Sequence, residues 1–208
     1  MNTRAVCKRC LKAQSACICS AIQLIDNQHF VHILQDPGEE KNAIGTARIL
    51  RLSLKRSKIS VGTLFDASLF DCQNSYLVFP DASAVAAEQI VNMKEINDSS
   101  VFILLDGSWK KAYKLLMSNV FLQNLPKISI NIDKQSEYRI RKSPRANGLS
   151  TVEAGYYLLS QLEKDTEKFV PLLTSFNKMI DYQIASMPAA IYKKHYLDKK
   201  LKSGKSLK

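Results

Sequence analysis

Residues Val101-Phe-Ile-Leu-Leu-Asp106-Gly-Ser-Trp109-Lys-Lys-Ala-Tyr-Lys-Leu-Leu-Met117 constrain the fold more than any other stretch of the chain. Five apolar residues in succession suit a strand covered on both faces, as in a parallel sheet. Trp109, Ala112, Tyr113, Leu116 and Met117 then recur at helical spacing. The periodicity changes at Asp106, which places this carboxylate at the C-terminal mouth of a buried strand. Open α/β sheets bind their ligands at that edge, so Asp106 is a candidate functional group.

The same alternation runs through the chain. Phe30 to Leu34 has strand character and meets the turn residues Pro37 and Gly38, after which Ala43 to Leu54 has a helical pattern. Ile59 to Leu64 and Ser75 to Phe79 are predicted strands, and Ala84 to Ile96 a predicted helix capped by Asp81 or Ser83. A strand is expected over Lys127 to Ile132 and helices over Thr151 to Glu163 and Glu167 to Ser186. Strands alternating with helices imply an α/β fold with a mainly parallel sheet. No repeat or linker-like segment interrupts it, and no Walker or dinucleotide-binding glycine motif appears. The three histidines are scattered and are assigned structural roles.

Four of the five cysteines fall within thirteen positions, as Cys7-Lys-Arg-Cys10 and Cys17-Ile-Cys19. In a reducing compartment these thiols do not pair as disulfides, and four thiolates complete a tetrahedral structural zinc site. Free or redox-active thiols are the alternative. A segment this short cannot bury a core alone, so a metal would account for its folding. The implied organisation is a zinc-binding segment over 1–25, an α/β domain over 26–190 and a lysine-rich tail over 191–208.

Charge bears on partners. The net charge is +11, and from Ile191 onward seven lysines face the single Asp198, so the tail carries +6 of it. It reads either as a solvated terminus or as an element that adds salt-sensitive attraction to phosphates. Tyr138-Arg-Ile-Arg141-Lys-Ser-Pro-Arg145 has two readings as well, a solvated basic loop or an anion clamp. Ser150-Thr-Val-Glu153 has the spacing of a capping box, and the helix N-terminus it opens has the polarity to attract an anion. Glu39 and Asn42 cap a turn or bind; Trp109 belongs to the core or stacks on a base. With no apolar run near the roughly 20 residues that span a bilayer, and no secretory pattern at the N-terminus, the expected location is the cytoplasm.

Five segments in this order resemble the DTW-domain family of tRNA-uridine aminocarboxypropyltransferases. They are the four-cysteine cluster, Ile33-Leu-Gln-Asp-Pro37-Gly-Glu39 with Gly45-Thr-Ala-Arg48, Phe79-Pro80, Leu105-Asp106-Gly-Ser-Trp109, and Tyr138 to Arg145 with Leu149-Ser-Thr-Val-Glu153-Ala154. Ser108 stands where the family commonly has threonine and keeps its hydroxyl. Asp36 stands where histidine is common.

The resemblance implies transfer of the 3-amino-3-carboxypropyl group from S-adenosylmethionine to N3 of a uridine in tRNA, on a SPOUT-related knotted α/β domain. It implies S-adenosylmethionine as co-substrate, structural zinc on Cys7, Cys10, Cys17 and Cys19, and tRNA as partner, with no membrane and no obligate protein partner. Asp106 is then the expected catalytic group, accepting the N3 proton or orienting the uracil edge. Leu105, Gly107, Ser108, Trp109, Pro80, Ser150, Thr151, Glu153 and Ala154 are the expected cofactor-binding set. Glu39, Arg48, Lys110, Lys111, Arg139, Arg141, Lys142 and Arg145 are the expected RNA-binding set. A methyltransferase using the same cofactor, and a non-catalytic zinc-knuckle RNA-binding protein, are the rival functions.

Overall fold

A computed structural model describes residues 5–71, 73–92, 96–132 and 148–188. In chain order it has β1 (Phe30–Gln35), α1 (Ala47–Ser53), β2 (Ser57–Val61), β3 (Ser75–Val78), β4 (Val85–Ala86) and α2 (Ala87–Asn92). There follow β5 (Val101–Asp106), α3 (Trp109–Ser118), α4 (Val120–Asn124), β6 (Lys127–Ser129), α5 (Thr151–Glu163) and α6 (Thr166–Ala185). The strands form one six-stranded, all-parallel sheet in the order β2-β1-β5-β3-β6-β4. The apolar run at 101–105 is β5, flanked by β1 and β3 and buried as its composition requires.

Alternation along the strands divides the core between two faces. Val31, Ile33 and Leu104 pack against α1, α5 and α6, with Phe169 and Phe176 of α6 fully buried there. Each such phenylalanine contributes roughly 1.5–3 kcal/mol through burial. Further along that face Tyr76, Phe102 and Ile128 meet α2 and the far end of α5. Leu34, Leu77 and Ile103 point the other way, toward Leu116 of α3 and Leu122 of α4. Asp106 shares parity with Phe102 and Leu104, so its side chain leaves the sheet on the α5 side.

The strands expected to end at Leu64 and Ile132 end at Val61 and Ser129, and two expected helices start later for local reasons. The helix foreseen from Ala43 begins at Ala47, because a 3-10 turn over Pro37–Glu39 and a further turn at Asn42 to Gly45 use the preceding residues. The helix foreseen from Ala84 yields its first residues to β4, since Val85 and Ala86 pair with Ile128 and Ser129. A two-residue strand rich in alanine carries no period of its own. The chain path through 133–147, on which the expected knot depends, lies outside the described residues.

The cysteine-bearing N-terminus is seated on the main core. Cys10 and Ile18 are buried in the cluster formed by α1, α5 and α6. Ser175 of α6 donates to the Ala21 carbonyl at 2.7 Å, and Tyr182 donates to Ser15 Oγ at 2.9 Å.

Candidate functional site

The sheet has a switch point between β1 and β5. From β1 the chain passes through α1 to β2 on one side, whereas from β5 it passes through α3 and α4 to β6, beyond β3 on the other. A crevice opens at the carboxyl ends of strands diverging in this way. Register pairs Gln35 with Asp106 at that edge. Asp106, 5% exposed, accepts one hydrogen bond from Gln35 Nε2 at 2.7 Å and another from the Thr151 hydroxyl. Both donors are matched to an ionised carboxylate, which only accepts.

Thr151 begins α5, and Ser150 is its N-cap. The expected capping box is complete: Glu153 N–H donates to Ser150 Oγ at 3.4 Å, and Glu153 Oε2 accepts from the Ser150 N–H at 2.8 Å and its hydroxyl at 2.6 Å. Val152 N–H donates to Thr46 Oγ1 at 3.3 Å, and Ala154 N–H to the Ser150 carbonyl. The first turn of α5 therefore spends most of its amide groups within the protein, so polar recognition there falls mainly to the side chains of Ser150 and Thr151.

Beside this turn lies a cavity of about 280 Å3, lined by Pro80, Leu105, Gly107, Trp109, Ser150, Thr151 and Ala154. It is near the lower end of the roughly 300–1,000 Å3 typical of small-molecule sites. Seven of the nine residues expected to bind a cofactor line it. The other two support it: Ser108 caps α3, accepting from Lys111 N–H at 3.4 Å, and Glu153 holds Ser150. Trp109 lines the cavity and meets Phe79 edge to face at 6.0 Å. Gly107 is a close approach, since a Cβ there would sit 2.8 Å from Lys111 Cβ. Asp106 is not in the wall; its carboxylate stands one hydrogen bond behind, through Thr151.

Several wall residues escaped sequence reasoning. Val78, Phe79, Leu104, Ala112, Ile128, Ser129, Ile130, Ile132 and Leu149 complete the cavity. The strand signal of 127–132 marked Ile128, Ser129, Ile130 and Ile132 as core, and only the β3–β6 pairing brings them to the crevice. Gln35 lay inside a quoted motif, yet its link to Asp106 requires the β1–β5 register.

The expected RNA-facing residues fall into three groups. Glu39, 7% exposed, accepts from Lys111 Nζ at 2.9 Å and Asn42 Nδ2 at 2.7 Å, and Asp36 lies 3.3 Å from the same ammonium. The Glu39 hydrogen bond and the two carboxylates hold the Lys111 ammonium above its usual range. Arg48 directs Nε and Nη2 to the Arg9 carbonyl at 3.2 and 2.9 Å, while Lys110 is exposed. Arg139, Arg141, Lys142 and Arg145 lie outside the described residues, as do Cys72 and the tail from Ile191.

The four cysteines of the N-terminus come together, with all four Sγ atoms within 4.8 Å of one another. Cys7 and Cys19 are 3.7 Å apart and Cys10 and Cys17 3.8 Å. Four thiolates about 2.3 Å from a central zinc ion form a tetrahedron with edges of about 3.8 Å. The first pair sits in a tight turn in which Leu11 N–H donates to the Cys7 carbonyl and Cys7 N–H to that of Lys12, both at 2.8 Å. Leu11 closes it in the left-handed region, at φ 59°. Backbone N–H groups of Cys10 and Arg9 lower the Cys7 thiol to about 6, and burial raises that of Cys19 to about 12. A divalent cation held there would supply the charge that lets four such groups ionise together.

An all-parallel α/β sheet with a cavity at its switch point, and a metal-fitting four-cysteine knuckle docked on the same core, define an α/β domain with a candidate ligand cavity and a built-in knuckle. The chain belongs to the DTW domain family, whose domain matches residues 4–184. It is 28% identical over 193 residues to tRNA-uridine aminocarboxypropyltransferase 2 of Macaca fascicularis, covering 87% of this chain and 64% of that protein. The Mus musculus protein of the same name is 27% identical over 205 residues, covering 93% of this chain and 68% of that one. For the Drosophila melanogaster protein the figures are 27% over 197 residues, 88% and 76%. The chain thus spans about two thirds of the length of the two mammalian relatives. No solved structure matches it. Among the described residues no helix is long and apolar enough to cross a membrane.

Proposed function

We propose that this chain transfers the 3-amino-3-carboxypropyl group of S-adenosylmethionine to N3 of a uridine in tRNA, in the cytoplasm. The observation that carries the reading is a cavity at the sheet's switch point, walled by Leu105, Gly107, Trp109, Ser150 and Thr151, in a chain similar along most of its length to proteins named for that transfer. The co-substrate supplies a sulfonium, whose bond to the aminocarboxypropyl carbon breaks toward sulfur as the new N3–C bond forms, leaving methylthioadenosine and releasing the N3 proton.

The chain's part is to select which carbon faces the base, since reaction needs the atoms held in line at about 3–3.5 Å. Pro80, Leu105 and Trp109 offer apolar surface for the adenosine, and the hydroxyls of Ser150 and Thr151 offer contacts for the methionine end. Asp106 acts behind them. Its bonds to Gln35 and Thr151 fix the Thr151 side chain and the start of α5, so we assign it as a positioning carboxylate; direct acceptance of the N3 proton would require Thr151 to release it. The Cys7, Cys10, Cys17 and Cys19 sulfurs hold zinc, and Lys110, Arg139, Arg141, Lys142, Arg145 and the lysine-rich tail meet tRNA phosphates.

Incubation of tRNA with co-substrate labelled in the carboxyl carbon, and separately in the methyl, tests the reaction. Label should enter RNA from the carboxyl carbon only. Methyl label in RNA would instead identify a methyltransferase, and RNA binding with neither label a non-catalytic binder.

A further inference from the structure

We propose that Lys12 is a positioning residue through which the metal knuckle sets the wall of the cavity, an inference that rests on the donor-site reading above. Lys12 lies two positions past Cys10 and is 5% exposed. Its ammonium donates to the carbonyls of Ala43, at 2.7 Å, and Gly45, at 3.2 Å. Both acceptors belong to the turn that leads into α1, and the next residue is Thr46, 4% exposed. Thr46 Oγ1 receives the Val152 N–H in the first turn of α5. Adjacent to Val152, Thr151 lines the cavity and bonds Asp106. A continuous path of short contacts thus runs from a metal ligand's neighbour to the site.

The path is clamped from both ends. Lys12 reaches from the knuckle into the turn, and Arg48, one residue into α1, reaches back to the Arg9 carbonyl in the Cys7–Cys10 turn. A buried ammonium is costly unless its protons find acceptors, so Lys12 depends on the two carbonyls of that turn. An empty knuckle loses the shape of the turns that Lys12 and Arg48 join. On this reasoning the metal serves the donor cavity as well as the fold of the N-terminus.

The test compares zinc-loaded wild type with Lys12→Met, Lys12→Arg and Thr46→Val. Zinc content, amide hydrogen exchange and S-adenosylmethionine affinity are measured, with kcat and KM on tRNA. Lys12→Met should keep one zinc per chain while amide exchange at Gly45, Thr46 and Val152 accelerates by about tenfold, and donor affinity falls by about tenfold with kcat nearly held. Lys12→Arg, which can reach both carbonyls, should recover most of both. Normal exchange at Val152 together with normal donor affinity in Lys12→Met overturns the proposal. If Lys12→Met also sheds zinc, Thr46→Val decides, because it leaves the knuckle intact: a comparable loss of donor affinity supports the path, and wild-type affinity refutes it. Failure of wild type to bind the donor would sink the donor-site reading alone, and exchange at Val152 would still judge the path.

Discussion

Removing the Thr151 hydroxyl isolates the interaction on which the site depends. Thr151→Val keeps the shape of the side chain and deletes a hydrogen bond given to Asp106, whose other oxygen accepts from Gln35 Nε2. A hydrogen bond to a charged group contributes about 1.5–3 kcal/mol, and at 5% exposure water cannot fully replace it. Thr151→Val should therefore lower the unfolding free energy by about 2 kcal/mol, or Tm by roughly 4–8 °C for a chain of this size. Asp106→Asn should cost a similar amount, because one oxygen still accepts while the new amide faces a donor. The two changes share a partner, so the double variant should fall short of additivity by about 1 kcal/mol or more. Urea unfolding at constant m measures all three. If Thr151→Val stays within about 0.5 kcal/mol of wild type, or the pair is additive, the assigned link between carboxylate and helix is wrong.

Gly155 is where α5 meets α1, and a Cβ there would lie 2.5 Å from Leu50 Cδ2 and 2.9 Å from Cδ1. Gly155→Ala should destabilise despite its helix-propensity gain of about 1 kcal/mol, since overpacking costs about 1–3 kcal/mol, and Leu50→Val should restore part of the loss in thermal unfolding. Burial, with Lys58 nearby, pushes the His32 imidazole down to about 4 from 6.5, and burial lowers His29 as well. Below about pH 6.5 the unfolded chain takes up these protons and the folded chain resists, so stability should fall steadily from pH 6.5 toward 4. His32→Phe, which keeps the stacking on Phe70, should flatten that slope in unfolding titrations at pH 7 and pH 5. Cys10→Ser should abolish metal binding and unseat the N-terminus from α6, read as lost zinc and faster proteolysis near Cys19; full zinc retention would contradict the four-sulfur assignment.

How much of this was legible beforehand follows from the range of the forces involved. Asp106 at a strand mouth could be read because Val101 to Leu105 is a continuous apolar run. The capping box at Ser150 and Glu153 could be read because it is local, and the cysteine cluster because four sulfurs in thirteen residues have few other uses. Gln35 as the partner of Asp106 could not, since it depends on a register between strands about 70 residues apart, a separation no local pattern encodes. The intramolecular contacts of the expected RNA-facing Arg48 and Lys111 could not be read either: the first meets a backbone carbonyl and the second Glu39 and Asp36, contacts set by how distant segments pack. β4 was hidden for the opposite reason, since two residues amid alanines are too few to show a period.

The pairing of Gln35 with Asp106 also limits what the chain can tolerate. Because neighbouring side chains in a strand face opposite ways, deletion of one residue within β5 would carry this carboxylate across the sheet to the α3 side, away from Thr151. Deletion of Leu105 would do this while leaving Phe102, Ile103 and Leu104 on their own faces. The site is therefore held by counting along β5 as much as by chemistry, and a one-residue length variant should stay folded far more readily than it stays active.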